Sequence, residues 1–232
     1  MTRVGKSAAG NTILGRKAFQ LNVGFNSVTS ACEKAEGEVD GQGVTVIDTP
    51  GLLITKLSIE EVLTEIKSCI SLSSPGPHVF LFVIQVGRIT KENNETVKII
   101  QTTFGKQSAN YTMVLFTHGD NLAGMSIKDY VDDSPDLQHF IKQCHGRYHV
   151  FNNSEQNPSQ VTELLDKINK MVKRNGGSYY TNEMLQEAER DIKEEKILRE
   201  NEEEEETILR ENEEKRRRSV ENLFSGGALY NN

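Results

Sequence analysis

Residues 44–51 read Val44-Thr45-Val46-Ile47-Asp48-Thr49-Pro50-Gly51, an apolar, β-branched run that stops at an acid, a proline and a glycine. Such a run predicts a buried strand ending at Asp48. A carboxylate at the carboxyl end of a parallel strand is where a nucleotide-binding fold organises Mg²⁺. Gly51 then falls where a backbone N–H meets a γ-phosphate. D-T-P-G alone also reads as an aspartate capping a turn before proline. What separates the two readings is a second motif at the correct distance upstream.

That motif is Gly5-Lys6-Ser7, the ending of a phosphate loop G-x-x-x-x-G-K-[ST]. Backbone N–H groups and the following helix N-terminus face the anion, while the lysine neutralises phosphate charge. Ser7 places its hydroxyl on Mg²⁺. Counting back from Gly5 puts the loop's first glycine just ahead of Met1, and the feeding strand is missing too. That strand normally lies in mid-sheet between two neighbours. The expectation is therefore an N-terminally incomplete version of a longer protein.

Two further apolar runs suit parallel strands, HVFLFVIQV (78–86) and YTMVLFTHGD (111–120), with a weaker one at RYHVFNN (147–153). Helix-like stretches alternate with them at 59–72, 91–105 and 158–174. This pattern predicts an α/β, three-layer P-loop sandwich with a mostly parallel sheet. Asp120 ends the third run, three residues after Thr117. A carboxylate there accepts hydrogen bonds from guanine N1 and N2, a pattern adenine does not offer. GTP is expected over ATP.

The 232 residues carry a net charge of −7, with 36% hydrophobic and 26% charged residues. Residues 1–180 balance 18 Lys/Arg against 18 Asp/Glu, whereas residues 181–232 hold 9 against 16. A neutral body with an acidic tail argues against a nucleic-acid binder. Cys32, Cys69 and Cys144 are odd in number and widely spaced. A disulfide framework or zinc site is not expected from them, and a cytoplasmic setting is. The longest apolar run is too short to span a bilayer, so no transmembrane segment is expected.

From Thr181 onward the sequence is built of strong helix formers. ILREN occurs at 197–201 and again at 208–212, which puts both Ile-Leu pairs on one helical stripe. A solvated single helix laced with Glu/Arg pairs is one reading; a helix packed on the body or on another chain, as in a coiled coil, is the other. The predicted organisation is a nucleotide-binding domain over 1–175, a charged helical extension over 176–224, and a disordered end over 225–232.

The stretches GKSAAGNTILG, SVT, VTVIDTPGL and SPGPHVFLFVIQVGRIT together resemble the immunity-associated nucleotide-binding (GIMAP) family, relatives of the septins and the chloroplast import GTPases. The resemblance covers residues 1 to about 175. It implies GTP/GDP and Mg²⁺ as cofactors. Gly5, Lys6, Ser7 and Ala8 match the phosphate loop. Thr29 matches the switch threonine over Mg²⁺ and γ-phosphate, so Ser7, Thr29 and Asp48 are the implied metal-side groups. Asp48 and Gly51 match the second switch. Thr117, His118 and Asp120 match the base-reading T-x-x-D, and Asn152 the last guanine-side motif.

Two departures stand out. Arg3 replaces a small loop residue, and Leu52 follows D-T-P-G where many small GTPases carry a water-orienting glutamine. Slow hydrolysis is expected, accelerated by self-association through the nucleotide face or by a partner. The alternative is a non-binding relative whose helical tail, meeting an unknown protein, acts as a scaffold. Proximity to organelle membranes is a family implication only.

Overall fold

The computed structural model describes residues 4–21, 32–49, 59–87, 103–155 and 157–226. Thr29, Gly51, Arg3, Leu52 and most of the helix expected at 91–105 lie outside these. Two compact units divide the chain, Met1–Glu189 and Arg190–Asn232.

In the first unit, α1 (Lys6–Leu14) precedes a hairpin of β1 (Glu33–Val39) and β2 (Gln42–Asp48), and α2 (Ile59–Leu72) follows. Then come β3 (Phe80–Gln85), β4 (Thr112–Thr117), the short helices α3 (Ile127–Asp132) and α4 (Pro135–Gln143), β5 (Tyr148–Val150) and α5 (Ser159–Arg174). β3, β4 and β5 form a parallel sheet in that order, while β1 and β2 pair antiparallel as a separate ribbon. This is the expected α/β sandwich.

β4 is buried along its whole length. Side chains alternate across a strand, so Val114 and Phe116 meet Phe140 and Ile141 of α4 on one face. Met113 and Leu115 meet Ala9 and Ile13 of α1 and Leu164 of α5 on the other. Ser126 and Ser134 cap α3 and α4 by accepting from the Asp129 and Leu137 backbone N–H groups, the usual serine role at a helix start.

β1 was not foreseen. Its sequence EKAEGEV is polar, and its side chains alternate between exposed and half-buried. The signal that would have found it is Asp40-Gly41, both at positive φ, the tight-hairpin dipeptide.

The compact body runs past residue 175, to Glu189. Tyr180 is fully buried with Leu185 against Ile66, Ile70 and Tyr111, and its hydroxyl donates to the Phe104 carbonyl at 2.8 Å. The S-P-G-P-H segment holds this region: the Tyr180 N–H donates to the Pro77 carbonyl at 3.0 Å. A side chain at Gly76 would collide with the Tyr180 carbonyl, so glycine lets the two backbones touch.

Two expectations are corrected. Cys32 and Cys69 are joined as a disulfide with Cα atoms 5.5 Å apart. They lie 37 residues apart in sequence, and only the fold brings the residue before β1 against α2. At the other end α6 (Asn182–Gly226) carries Ser225 and Gly226 within the helix, inside the stretch expected to be disordered. Cooperative extension of a long helix outweighs the weak propensity of its last two residues.

Among the described residues, the second edges of β2 and β3 carry no strand. The two edges line a 630 Å³ cavity whose walls are mostly apolar, including Val46, Leu81, Ile70 and Leu164. Packed interiors rarely leave voids larger than a water molecule.

Candidate nucleotide-binding site

Helix α1 begins at Lys6 behind Gly5, which adopts a left-handed conformation at φ 85° and ψ 25°. A Cβ at Gly5 would lie 3.2 Å from Asn153 Nδ2 and 3.4 Å from Thr117 Cγ2. Glycine therefore meets both a conformational and a steric demand there. The turn puts Lys6 and Ser7 at the start of α1, where the helix carries its partial positive charge.

Ser7 Oγ donates to Asp48 Oδ2 at 2.5 Å. The two groups assigned to the metal side thus meet directly, though 41 residues separate them. Asp48 is buried at the carboxyl end of β2. Lys6 has its pKa pushed down by burial, partly opposed by the Asp48 charge. A half-buried lysine, a buried carboxylate and a hydroxyl in the first turn of a helix suit an anionic ligand carrying a divalent cation. The residues present fit a nucleotide's phosphates with Mg²⁺.

Thr117 is wholly buried, and its hydroxyl donates to the Val4 carbonyl at 2.6 Å. Its role is to brace the phosphate turn from β4, with no exposed hydroxyl for a base. His118 stands next, at φ 57°, with Nδ1 3.2 Å from Thr117 Oγ1. Because the Thr117 proton is committed to Val4, the His118 N–H is the donor in that contact. Asp120 is exposed in the short 3₁₀ turn Gly119–Leu122. The Gly119 N–H donates to the Phe151 carbonyl at 3.0 Å, which brings the T-H-G-D turn against the F-N-N loop after β5.

Within that loop Asn152 is held by its backbone: its N–H donates to Gln160 Oε1 at 3.0 Å, and its carbonyl accepts from Gln160 Nε2. Its side-chain oxygen accepts from the Ser154 N–H. Asn153, passed over in the sequence, is the residue that reaches α1. Its Oδ1 lies 3.0 Å from Thr12 Oγ1. Its Nδ2 is buried with no hydrogen-bond partner among the described residues, close to Gly5. An orphaned buried donor is rare. The sequence does not set Asn153 apart from Asn152, because both lie past the end of β5 at Val150.

Ala8 sits in the first turn of α1, its carbonyl 3.0 Å from Thr12 Oγ1. The structure brings together Gly5, Lys6, Ser7, Ala8 and Asp48 on one side, and Thr117, His118, Asp120 and Asn152 on the other. Thr117–Val4 and Thr12–Asn153 link the two sets.

The model of the AIG1 family matches residues 1–202. The chain belongs to the AIG1 family. Among curated relatives, GTPase IMAP family member 8 of Homo sapiens is 35% identical over 184 residues, 78% of this chain and 28% of that protein. Immune-associated nucleotide-binding protein 9 of Arabidopsis thaliana is 36% identical over 196 residues, 81% of this chain and 57% of its own length. The AIG1 chain thus spans between about a quarter and three-fifths of these two relatives. Among solved structures, Toc33 of Arabidopsis thaliana, in a dimerization-deficient mutant, aligns with a TM-score of 0.57 at 18% identity, over 75% of this chain and 81% of that one. Toc33 in complex with GDP and Mg²⁺ aligns at 0.55, with 18% identity and the same coverage. These likenesses show the GTPase fold. No described helix is long and apolar enough to cross a membrane.

Proposed function

We propose that this AIG1-family chain is a guanine-nucleotide-binding switch domain that takes GTP or GDP with Mg²⁺. The observation that carries the reading is the direct Ser7–Asp48 contact beneath the start of α1. Bound Mg²⁺ would neutralise phosphate charge between these two groups. Lys6 sits beside them to neutralise the remaining anion, and its partial burial strengthens that attraction. The exposed carboxylate of Asp120 accepts from the guanine N1 and N2 groups, and His118 lies along the base. Thr29, Gly51 and Asn152 complete the set as the switch threonine, the second-switch glycine and a base-side contact.

Leu52 offers no hydrogen bond to an attacking water, so intrinsic hydrolysis is slow. Self-association through the nucleotide face is part of the proposal, and the dimerization named for the Toc33 structure supports it. The scaffold alternative draws on one observation: Ile197, Leu198, Ile208 and Leu209 of α6 are 52–63% exposed, a stripe open to a protein partner.

Fluorescent GDP and GTP titrations with Mg²⁺, competed by ATP, test the reading. Saturable guanine binding that ATP does not compete away is the expected result. Absence of binding, or equal competition by ATP, would overturn it.

A further inference from the structure

Strand pairing places Glu33 of β1 directly opposite Asp48 of β2. Cys32 is the residue just before Glu33, so it stands at the end of the hairpin that carries the Ser7 contact. Its disulfide partner, Cys69, is buried on α2. The neighbouring Ile66 and Ile70 of that helix pack against Tyr111, Tyr180 and Leu185. The bond therefore runs from the Asp48 end of the hairpin to a helix seated on the body. At the opposite end, exposed polar contacts tie the hairpin to α5. Thr162 Oγ1 donates to Asp40 Oδ2 at 2.6 Å, and the Gln42 and Asn169 amides pair at 2.9 and 3.2 Å.

We propose that Cys32 and Cys69 form a reversible thiol–disulfide switch that sets how firmly Asp48 is held at the phosphate side of the site. The proposal rests on the reading of Asp48 as a phosphate-side group. Two observations favour a switch over a structural staple. The three apolar clusters of the body include neither cysteine, so the core is packed without the bond. Cys32 is half-exposed and Cys69 buried, so one thiol meets a small disulfide while the other waits behind it. Their Cα atoms, 5.5 Å apart, fall inside the range of about 4.4–6.8 Å that a disulfide spans. The oxidant is glutathione disulfide. The Cys32 thiolate attacks one of its sulfurs and expels a glutathione thiolate; the Cys69 thiolate then attacks the Cys32 sulfur of the mixed disulfide and expels the second. Two protein thiols lose two protons and two electrons, and one glutathione disulfide becomes two glutathione molecules. Excess glutathione reverses the exchange. The closed bond limits how far Asp48 moves relative to the body, so the disulfide form holds Mg²⁺ and phosphate longer than the dithiol form.

The test equilibrates the 232-residue chain at graded ratios of glutathione to glutathione disulfide. Free thiols are counted by alkylation and mass spectrometry, and release of fluorescent GDP with Mg²⁺ is followed at each ratio. Cys32→Ser supplies a permanently open form that leaves the buried Cys69 in place. The expected result is reversible loss of two thiols together, with the buried Cys144 still free. GDP release should slow about fivefold or more in the disulfide form, while Cys32→Ser releases GDP at the dithiol rate at every ratio. Equal release from the two forms would overturn the proposal. So would a pair that never oxidises, or one that excess glutathione fails to reopen. A redox response that persists in Cys32→Ser would overturn it too, because another group would then be responsible. If neither form binds GDP, the nucleotide reading fails by itself, and hydrogen exchange at the amides around Glu33 and Asp48 decides the coupling. Exchange slowed about tenfold or more in the disulfide form supports it, and equal exchange overturns it.

Discussion

β4 and β2 are strands of similar length that contribute to the same site, yet their surroundings differ. β4 has a parallel neighbour on each side and is buried throughout. Among the described residues β2 has one partner, the antiparallel β1, and its other edge lines the cavity. From the saturated strand come Thr117, which holds the Val4 carbonyl, and the turn bearing His118 and Asp120, which we propose face the base. From the half-paired strand comes Asp48, the partner of Ser7 and the group we propose for the phosphate side. The side of the site that we propose for the base is thus held by a finished core, whereas Asp48 stands on a strand with one partner among the described residues.

Replacing a large side chain in each strand tests this contrast. Phe116→Ala removes a fully buried ring from β4 and should destabilise by about 3–5 kcal/mol. Val46→Ala takes methyls from a wall that already faces open space and should lose about 1 kcal/mol or less. Urea denaturation midpoints check both. Comparable losses would erase the difference between the strands.

The same contrast governs what could be read in advance. β4 was legible because a strand buried on both faces is a continuous apolar run. Asp48 and Ser7 were legible because fixed spacing carries the motif. β1 was not, since half-exposed strands carry Glu and Lys, and the Cys32–Cys69 bond was invisible because nothing local specifies it. The start of α6 reads as solvated helix from its charges, yet Leu185 and Ala188 are buried; tertiary burial of a few positions overrides the composition of the whole. Asn152 was chosen over Asn153 because two adjacent asparagines look alike until one is seen to reach α1.

Asn153 links the two halves, and its removal sharpens the comparison. Its Nδ2 has no partner among the described residues and Thr12 retains the Ala8 carbonyl, so Asn153→Ala should shift stability by only about 0.5 kcal/mol. If the orphaned donor serves the ligand, GDP binding should weaken about tenfold, roughly 1.4 kcal/mol. Titration and thermal melts of the same variant separate the two effects.

His149 probes the finished half by pH. Burial is the main cause of its lowered pKa; the hydrogen bond to the Gln160 carbonyl opposes it, Lys167 adds to the lowering, and Glu163 opposes it. Above the ordinary histidine value of about 6.5 both folded and unfolded states are neutral, so the group contributes no pH dependence. Below it the unfolded chain takes up the proton first, so stability falls as pH drops from about 6.5 until the folded-state pKa is passed. The slope attributable to this residue is at most about 1.4 kcal/mol per pH unit, and His149→Gln should flatten it in melts between pH 7 and 5.

The smallest effect is expected in the second unit. Leu209 is 63% exposed, so Leu209→Asp should change the body's stability by less than about 0.5 kcal/mol. Any loss it causes should be confined to association of the helix, read by sedimentation.

The central claim is that the phosphate half and the base half read one guanine nucleotide. Calorimetric titration of GDP and ADP with Mg²⁺ into the wild-type chain, Lys6→Ala and Asp120→Ala tests it most directly. The account predicts that Lys6→Ala weakens both nucleotides by a similar factor, while Asp120→Ala weakens GDP alone and brings its affinity close to that of ADP. If Asp120→Ala left the preference for GDP intact, the base half would lie elsewhere and the account would be wrong.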